Sequence, residues 1–214
     1  KDGNLDILIT NRGSQNEICL NDGQGQFNEK LSFGTADDST IDIKVADMDG
    51  DGDLDLILAN RDAQQNYIYL NDGNLKFDQK IAFGSGEDHT RSIAIIDMNA
   101  DEYLDIVTAN INGPNVIYFG NSTLRYEHKS VFDAQLDKSY AIALGDLDGD
   151  KDVDIVIANH GEPNTYFINQ NQGILWKKYA LSNVAYHTYD IVLSDLNGDG
   201  RLDIIESNSD ERNL

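Results

Sequence analysis

Aspartates at alternate positions dominate the chemistry this chain can do. In DMDGDGDLD, beginning at Asp47, carboxylates fall at Asp47, Asp49 and Asp51, a fourth follows at Asp55, and Gly52 supplies the tight turn that lets them converge. Such a set suits a hard cation. Ca²⁺ takes roughly six to eight oxygens in flexible geometry, so carboxylates, the backbone carbonyl of Asp53 and water fill its shell, whereas Mg²⁺ demands a stricter octahedron. Carboxylates about 5 Å apart repel by roughly 3 kcal/mol per pair at an effective dielectric of 20, so four do not converge without a cation.

The same loop is written four times, starting at Asp47, Asp97, Asp146 and Asp195, at separations of 50, 49 and 49 residues. The other copies supply Asp97, Asn99, Asp101, the carbonyl of Tyr103 and Asp105; Asp146, Asp148, Asp150, the carbonyl of Asp152 and Asp154; and Asp195, Asn197, Asp199, the carbonyl of Arg201 and Asp203. The N-terminal KDGNLDILITN aligns as the back half of a fifth copy, placing Asp2 and Asp6 in its donor positions. One isolated Asp/Gly loop reads equally well as a solvated turn. Four copies in register favour metal. Glu102 and Lys151 replace the turn glycine and Asn99 and Asn197 each drop a charge, so the loops at Asp47 and Asp195 are expected to be the strongest sites. The last copy, ending at Glu206, also satisfies the EF-hand pattern. Its twelfth position is Leu58, Thr108 or Ile157 in the other copies, and the flanks have strand rather than helix periodicity, which excludes that reading.

Each period carries four short apolar stretches bounded by Gly, Asn and Asp; in the second unit they are IDIKVA, LDLILA, NYIYL and KFDQKIAF. The stretch after each acidic loop is apolar at nearly every position, so both its faces must be covered. LNDG at Leu20 and Leu70 supplies hairpin chemistry, and Asn11, Asn60, Asn110 and Asn159, each followed by Asn16, Asn66, Asn115 or Asn164, read as turn caps. Units of this length built as four-stranded meanders predict an all-β chain, a β-propeller with blades of about 49 residues. The expected divisions are a partial blade over 1–34, blades over 41–83, 92–132 and 140–181, and a partial blade over 189–214. They are expected to form part of a larger ring of about seven blades, with neighbouring domains in a longer chain. In such blades the acidic loops and LNDG turns share one rim.

The formal net charge of -22 argues against nucleic acid and anionic membranes as partners. Much of that charge lies in the four loops, where a cation would neutralise it. No apolar run is long enough for direct membrane insertion. The lone Cys19, in a strand-like EICL, reads as a buried thiol. The chain opens in the middle of a motif, which is compatible with a leader upstream.

The D-x-D-x-D-G-x-x-D loop, the strand SIAIID or AIALGD before it, LDLILAN after it, then LNDG and an FG pair (Phe33-Gly34, Phe83-Gly84) together resemble the FG-GAP/VCBS repeats of integrin α-subunit-type propellers. The resemblance covers essentially the whole chain. It implies a calcium-loaded, extracellular propeller used in adhesion or recognition of carbohydrate or protein ligands, with ligands on the rim opposite the calcium loops. On that rim the sequence offers Asp37, Asp38, Asp88, His89, Arg91, Tyr140, Tyr186, His187 and Tyr189. No motif names a reaction, so an enzyme is not expected; a calcium-assisted polysaccharide lyase and a non-binding scaffold are the alternatives.

Overall fold

Strand-forming residues recur so regularly that the chain folds as a succession of antiparallel meanders. The computed structural model describes residues 2–209 and 213. Among them every regular element is a strand, seventeen in all. The first sheet holds β1 (Ile7–Ile9), β2 (Asn16–Leu20) and β3 (Glu29–Phe33). The second is β4 (Thr40–Ala46), β5 (Asp55–Asn60), β6 (Asn66–Leu70) and β7 (Gln79–Phe83). The third is β8 (Thr90–Ile96), β9 (Asp105–Asn110), β10 (Asn115–Tyr118) and β11 (Lys129–Asp133). The fourth is β12 (Ser139–Gly145), β13 (Asp154–Glu162), β14 (Thr165–Asn169) and β15 (Trp176–Ala180). Here β13 also pairs with β16 (Tyr186–Ser194), which pairs with β17 (Asp203–Asn208), so two units share one six-stranded sheet. The far end of the expected partial blade over 189–214 lies outside the described residues.

The post-loop strands are the core. β5 and β9 are buried at all six positions, which is why their sequences do not alternate. Each sheet lays one face on the next: Ile18 and Phe33 meet Leu56 and Leu58; Ile57 and Ile68 meet Ile93 and Ile106; Val107 and Ile117 meet Ile155 and Phe167. Aromatic edges lock the same seams, Phe83 against Tyr118 at 5.9 Å and Phe132 against Phe167 at 5.1 Å.

One local expectation is corrected. The stretch from Lys76 is not all strand: Asp72 Oδ1 accepts from Lys76 N at 3.2 Å, holding Lys76 in the preceding turn, and β7 starts at Gln79. The LNDG segments do join antiparallel neighbours, β2 to β3 and β6 to β7. Asn71 Oδ1 accepts from Gly73 N and Leu75 N, so side-chain bonds close a wider loop.

The asparagines do more than cap turns. Asn66 Oδ1 accepts from Asn60 N at 2.8 Å, as a cap does, but its Nδ2 donates at 2.8 Å to Thr90 Oγ1 of the next sheet, 24 residues on. Asn16 with Thr40, Asn115 with Ser139 and Asn164 with Thr188 repeat that bond at the same separation. The hydroxyl then donates onward, Thr40 to Asn60, Ser139 to Asn159 and Thr188 to Asn208. A buried polar relay thus couples each sheet to its successor through an otherwise apolar seam.

Candidate metal centres and the opposite rim

Each acidic loop winds around its own carboxylates. In the first, Asp47 accepts from Gly50 N and Gly52 N, Asp49 from Asp51 N, and Asp51 from Asp53 N, at 2.8–3.1 Å. Equivalent bonds shape the loops at Asp97, Asp146 and Asp195. The amides fix the carboxylates and leave further lone pairs for a cation.

Convergence differs between loops. Carboxylate oxygens of Asp47, Asp49 and Asp51 lie within 4.8 Å of one another, as do those of Asp146, Asp148 and Asp154. These are all-oxygen sets of three carboxylates, the donor chemistry of a hard divalent cation. Among the described residues no such carboxylate triad forms at Asp97 or Asp195, where Asn99 and Asn197 stand in for an Asp. Asn99 donates its Nδ2 to Asp101 Oδ2 at 3.0 Å, which occupies a carboxylate oxygen of the loop. The Asp146 loop, which loses the turn glycine, gathers a triad, and the Asp195 loop, which keeps it, does not. Asp150 and Asp152 stay exposed outside the Asp146 triad, and Tyr103 and Arg201 are exposed. At the N-terminus Asp2 is held below the usual carboxylate range by Asn4, first through the Asn4 backbone N–H. Asp6 accepts from Asn21 N at 2.8 Å.

The ninth-position aspartates have a second role that sequence did not reveal. Asp55 is fully buried; its Oδ2 accepts from Met48 N and its Oδ1 from Asn71 N, tying the start of the acidic loop to the LNDG turn. Asp105 clasps Met98 N and Gly120 N, and Asp154 clasps Leu147 N and Asn169 N. Asp203 accepts from Leu196 N at 3.0 Å. Among the described residues Asp154 both clasps its loop and has an oxygen in a triad, so clasping leaves a carboxylate able to face a cation. Burial raises the pKa of Asp55 and Asp154, and pushes Asp105 to about 6, against the lowering effect of the two N–H bonds. At Gly120 the Asn of other repeats is missing. Asn71 Nδ2 donates to Leu54 O, and the Tyr126 hydroxyl reaches the equivalent Leu104 O at 3.5 Å from elsewhere.

The turn position occupied by Gly52 and Gly200 (φ 90° and 84°) is left-handed in every copy, and Glu102 and Lys151 adopt it too, at φ 73° and 77°. An L side chain there is strained by roughly 1–2 kcal/mol. Lys151→Gly is accordingly expected to stabilise the protein by about 0.5–1 kcal/mol once glycine's entropy cost is subtracted. A urea midpoint that fell in this variant would contradict that.

On the opposite rim some expected recognition groups are already engaged. Asp38 accepts from Thr35 N and Asp88 from Ser85 N, both at 2.7 Å, so these carboxylates shape their turns. Others gather. β4, β8, β12 and β16 each carry a bulge near the start, with register shifts at Thr40/Asp42, Thr90/Ser92, Ser139/Ala141 and Thr188/Asp190. The extra residues are Ile41, Arg91, Tyr140 and Tyr189, and bulges re-aim side chains. Arg91 lies over the Tyr140 ring at 5.2 Å, and Tyr140 meets Tyr189 edge-on at 5.3 Å. His160 and His187, far apart in sequence, come together with ring centres 4.7 Å apart, and His160 stacks on Tyr140.

Comparison with known proteins agrees with this architecture. Four overlapping segments, residues 1–58, 47–108, 97–157 and 146–205, match the FG-GAP-like repeat. No curated protein matches the chain. Two crystal structures of BBS1N in complex with ARL6DN contain similar folds. In the crystal soaked with lead the TM-score is 0.52 at 15% identity, covering 79% of this chain and 50% of that one. In the crystal soaked with mercury it is 0.58 at 13% identity, covering 97% of this chain and 73% of that one. The matched segments begin at or inside the acidic loops and run through the buried post-loop strands, so the chain belongs to the FG-GAP-like repeat family.

Proposed function

We propose that this chain is a calcium-supported propeller module that recognises a protein ligand outside the cell, as part of a larger ring. The observation that carries the reading is the segregation of its two rims. One gathers the carboxylate loops, with triads at Asp47 and Asp146. The other gathers Arg91, Tyr140, His160, His187 and Tyr189, a mixture of aromatic and polar groups of the kind enriched in protein interfaces. Calcium fits the oxygen-only donor set, and free calcium at about a hundred times Kd, a ratio that millimolar extracellular calcium reaches for micromolar sites, adds about 2.7 kcal/mol per site. A protein ligand is supported by the solved likeness, since BBS1N was crystallised in complex with ARL6DN.

The test is binding to matrix-protein and glycan arrays in millimolar calcium, repeated in EDTA and with Tyr140→Ala and Tyr189→Ala. Calcium-dependent capture of a protein that both variants weaken at least tenfold is the expected result. Capture of glycans alone would replace protein by carbohydrate as the ligand class. Silence on both arrays from a folded, calcium-loaded protein overturns the recognition reading, and shortening of an acidic polysaccharide would replace it with a lyase.

A further inference from the structure

Two imidazoles meet where one repeat is stitched to the next. β13 runs nine residues, against six in β5 and β9, and its extra length pairs with β16: His160 stands opposite His187, and Glu162 opposite Tyr186. At two corresponding junctions the strand pairing between sheets is reduced to isolated bridges, Arg12 to Ser39 and Ile111 to Lys138. Gly161, between the paired residues, has φ +83°, and a Cβ there would sit 3.8 Å from Cδ2 and Nε2 of His187. The His187 ring therefore lies across the strand beside His160.

We propose that His160 and His187 bind a borderline divalent cation of the zinc class, which clips β13 to β16. Two imidazoles on one tetrahedral ion, with metal–nitrogen bonds of about 2.0–2.1 Å, place their ring centres roughly 5 Å apart. The observed separation is 4.7 Å, with the rings tilted by 55°. Tyr140 stacks on the face of His160 at 4.7 Å and Tyr189 lies nearly perpendicular to it at 5.2 Å, which fixes the ring plane. His160 is half-buried and His187 exposed, so an ion has access, and the chain's charge of -22 concentrates cations around it. Imidazole nitrogen selects zinc, nickel or copper over calcium, so this site and the carboxylate loops take different ions. Among the described residues no third His, Cys, Asp or Glu converges within 4.8 Å, and water completes the shell.

The test uses the whole chain in millimolar calcium, which saturates the carboxylate loops, titrated with zinc chloride. Imidazole proton–nitrogen correlations of His160 and His187 are expected to shift together at one equivalent while His89 and His128 stay in place. Amide exchange in β16 slows at least tenfold at saturation. His160→Phe and His187→Phe keep a ring in the cluster but remove the donor, and each lowers zinc affinity at least tenfold; His89→Phe leaves it unchanged. Unmoved His160 and His187 signals overturn the proposal. So does unaltered zinc affinity in His187→Phe, whose exposed position leaves the fold intact, because the zinc then sits on carboxylates.

Discussion

Excess EDTA is expected to lower the melting temperature of the native protein by about 10–20 °C. The triads at Asp47 and Asp146 carry that expectation. Each site filled at a hundred times its dissociation constant contributes about 2.7 kcal/mol to the folded state, two give about 5 kcal/mol, and a chain of this length shifts by about 2–4 °C per kcal/mol. Removing a bound ion would also restore repulsion among carboxylates that the loop amides hold close together. The loops at Asp97 and Asp195, with an Asn in each, add less. Asp49→Ala and Asp148→Ala each remove a triad member that makes no clasp, so each should abolish about half of the calcium-dependent shift while leaving the melt in EDTA almost unchanged. Superimposable melts with and without EDTA would sink the structural role of calcium.

Much of this architecture was legible because it repeats. The fifty-residue interval located the sheets, and the unbroken apolar runs of LDLILA and LDIVTA marked strands covered on both faces, as β5 and β9 are. What escaped was everything decided by partners distant in sequence. Asn66 reads as a turn cap because its near partner, Asn60, is local; its far partner, Thr90, is visible only as a constant separation of 24 residues that recurs from Asn16, Asn115 and Asn164. Asp55 reads as a fourth ligand because it follows three others at metal-like spacing. Burial under the LNDG turn gives it a second role as a clasp, and nothing in the loop's own sequence announces that turn's approach. His160 and His187 look scattered until β13 is seen to overrun its sheet. Local chemistry showed in the loops; the seams needed three dimensions.

The seams supply the other large effect. Asn66 is 1% exposed, accepts from Asn60 N and donates to Thr90 Oγ1, both at 2.8 Å. Asn66→Ala strands a buried N–H and a buried hydroxyl, each costing about 1–3 kcal/mol, so a loss of about 3–4 kcal/mol is expected in urea unfolding. The relay itself is tested by comparing its hydroxyls. Thr40 Oγ1 both accepts from Asn16 and donates to Asn60, at 2.9 Å each, so Thr40→Val orphans two buried partners. Thr90 accepts from Asn66, but Asn110 Oδ1, the atom its hydroxyl would reach by analogy, is buried without a hydrogen bond. The third link is already broken on that side, so Thr90→Val orphans one partner and should cost about half as much as Thr40→Val. Equal losses in the two variants would show that the hydroxyls act by packing alone. A larger loss at Thr40 would identify the Asn–hydroxyl–Asn chain as the polar device that couples one sheet's folding to the next.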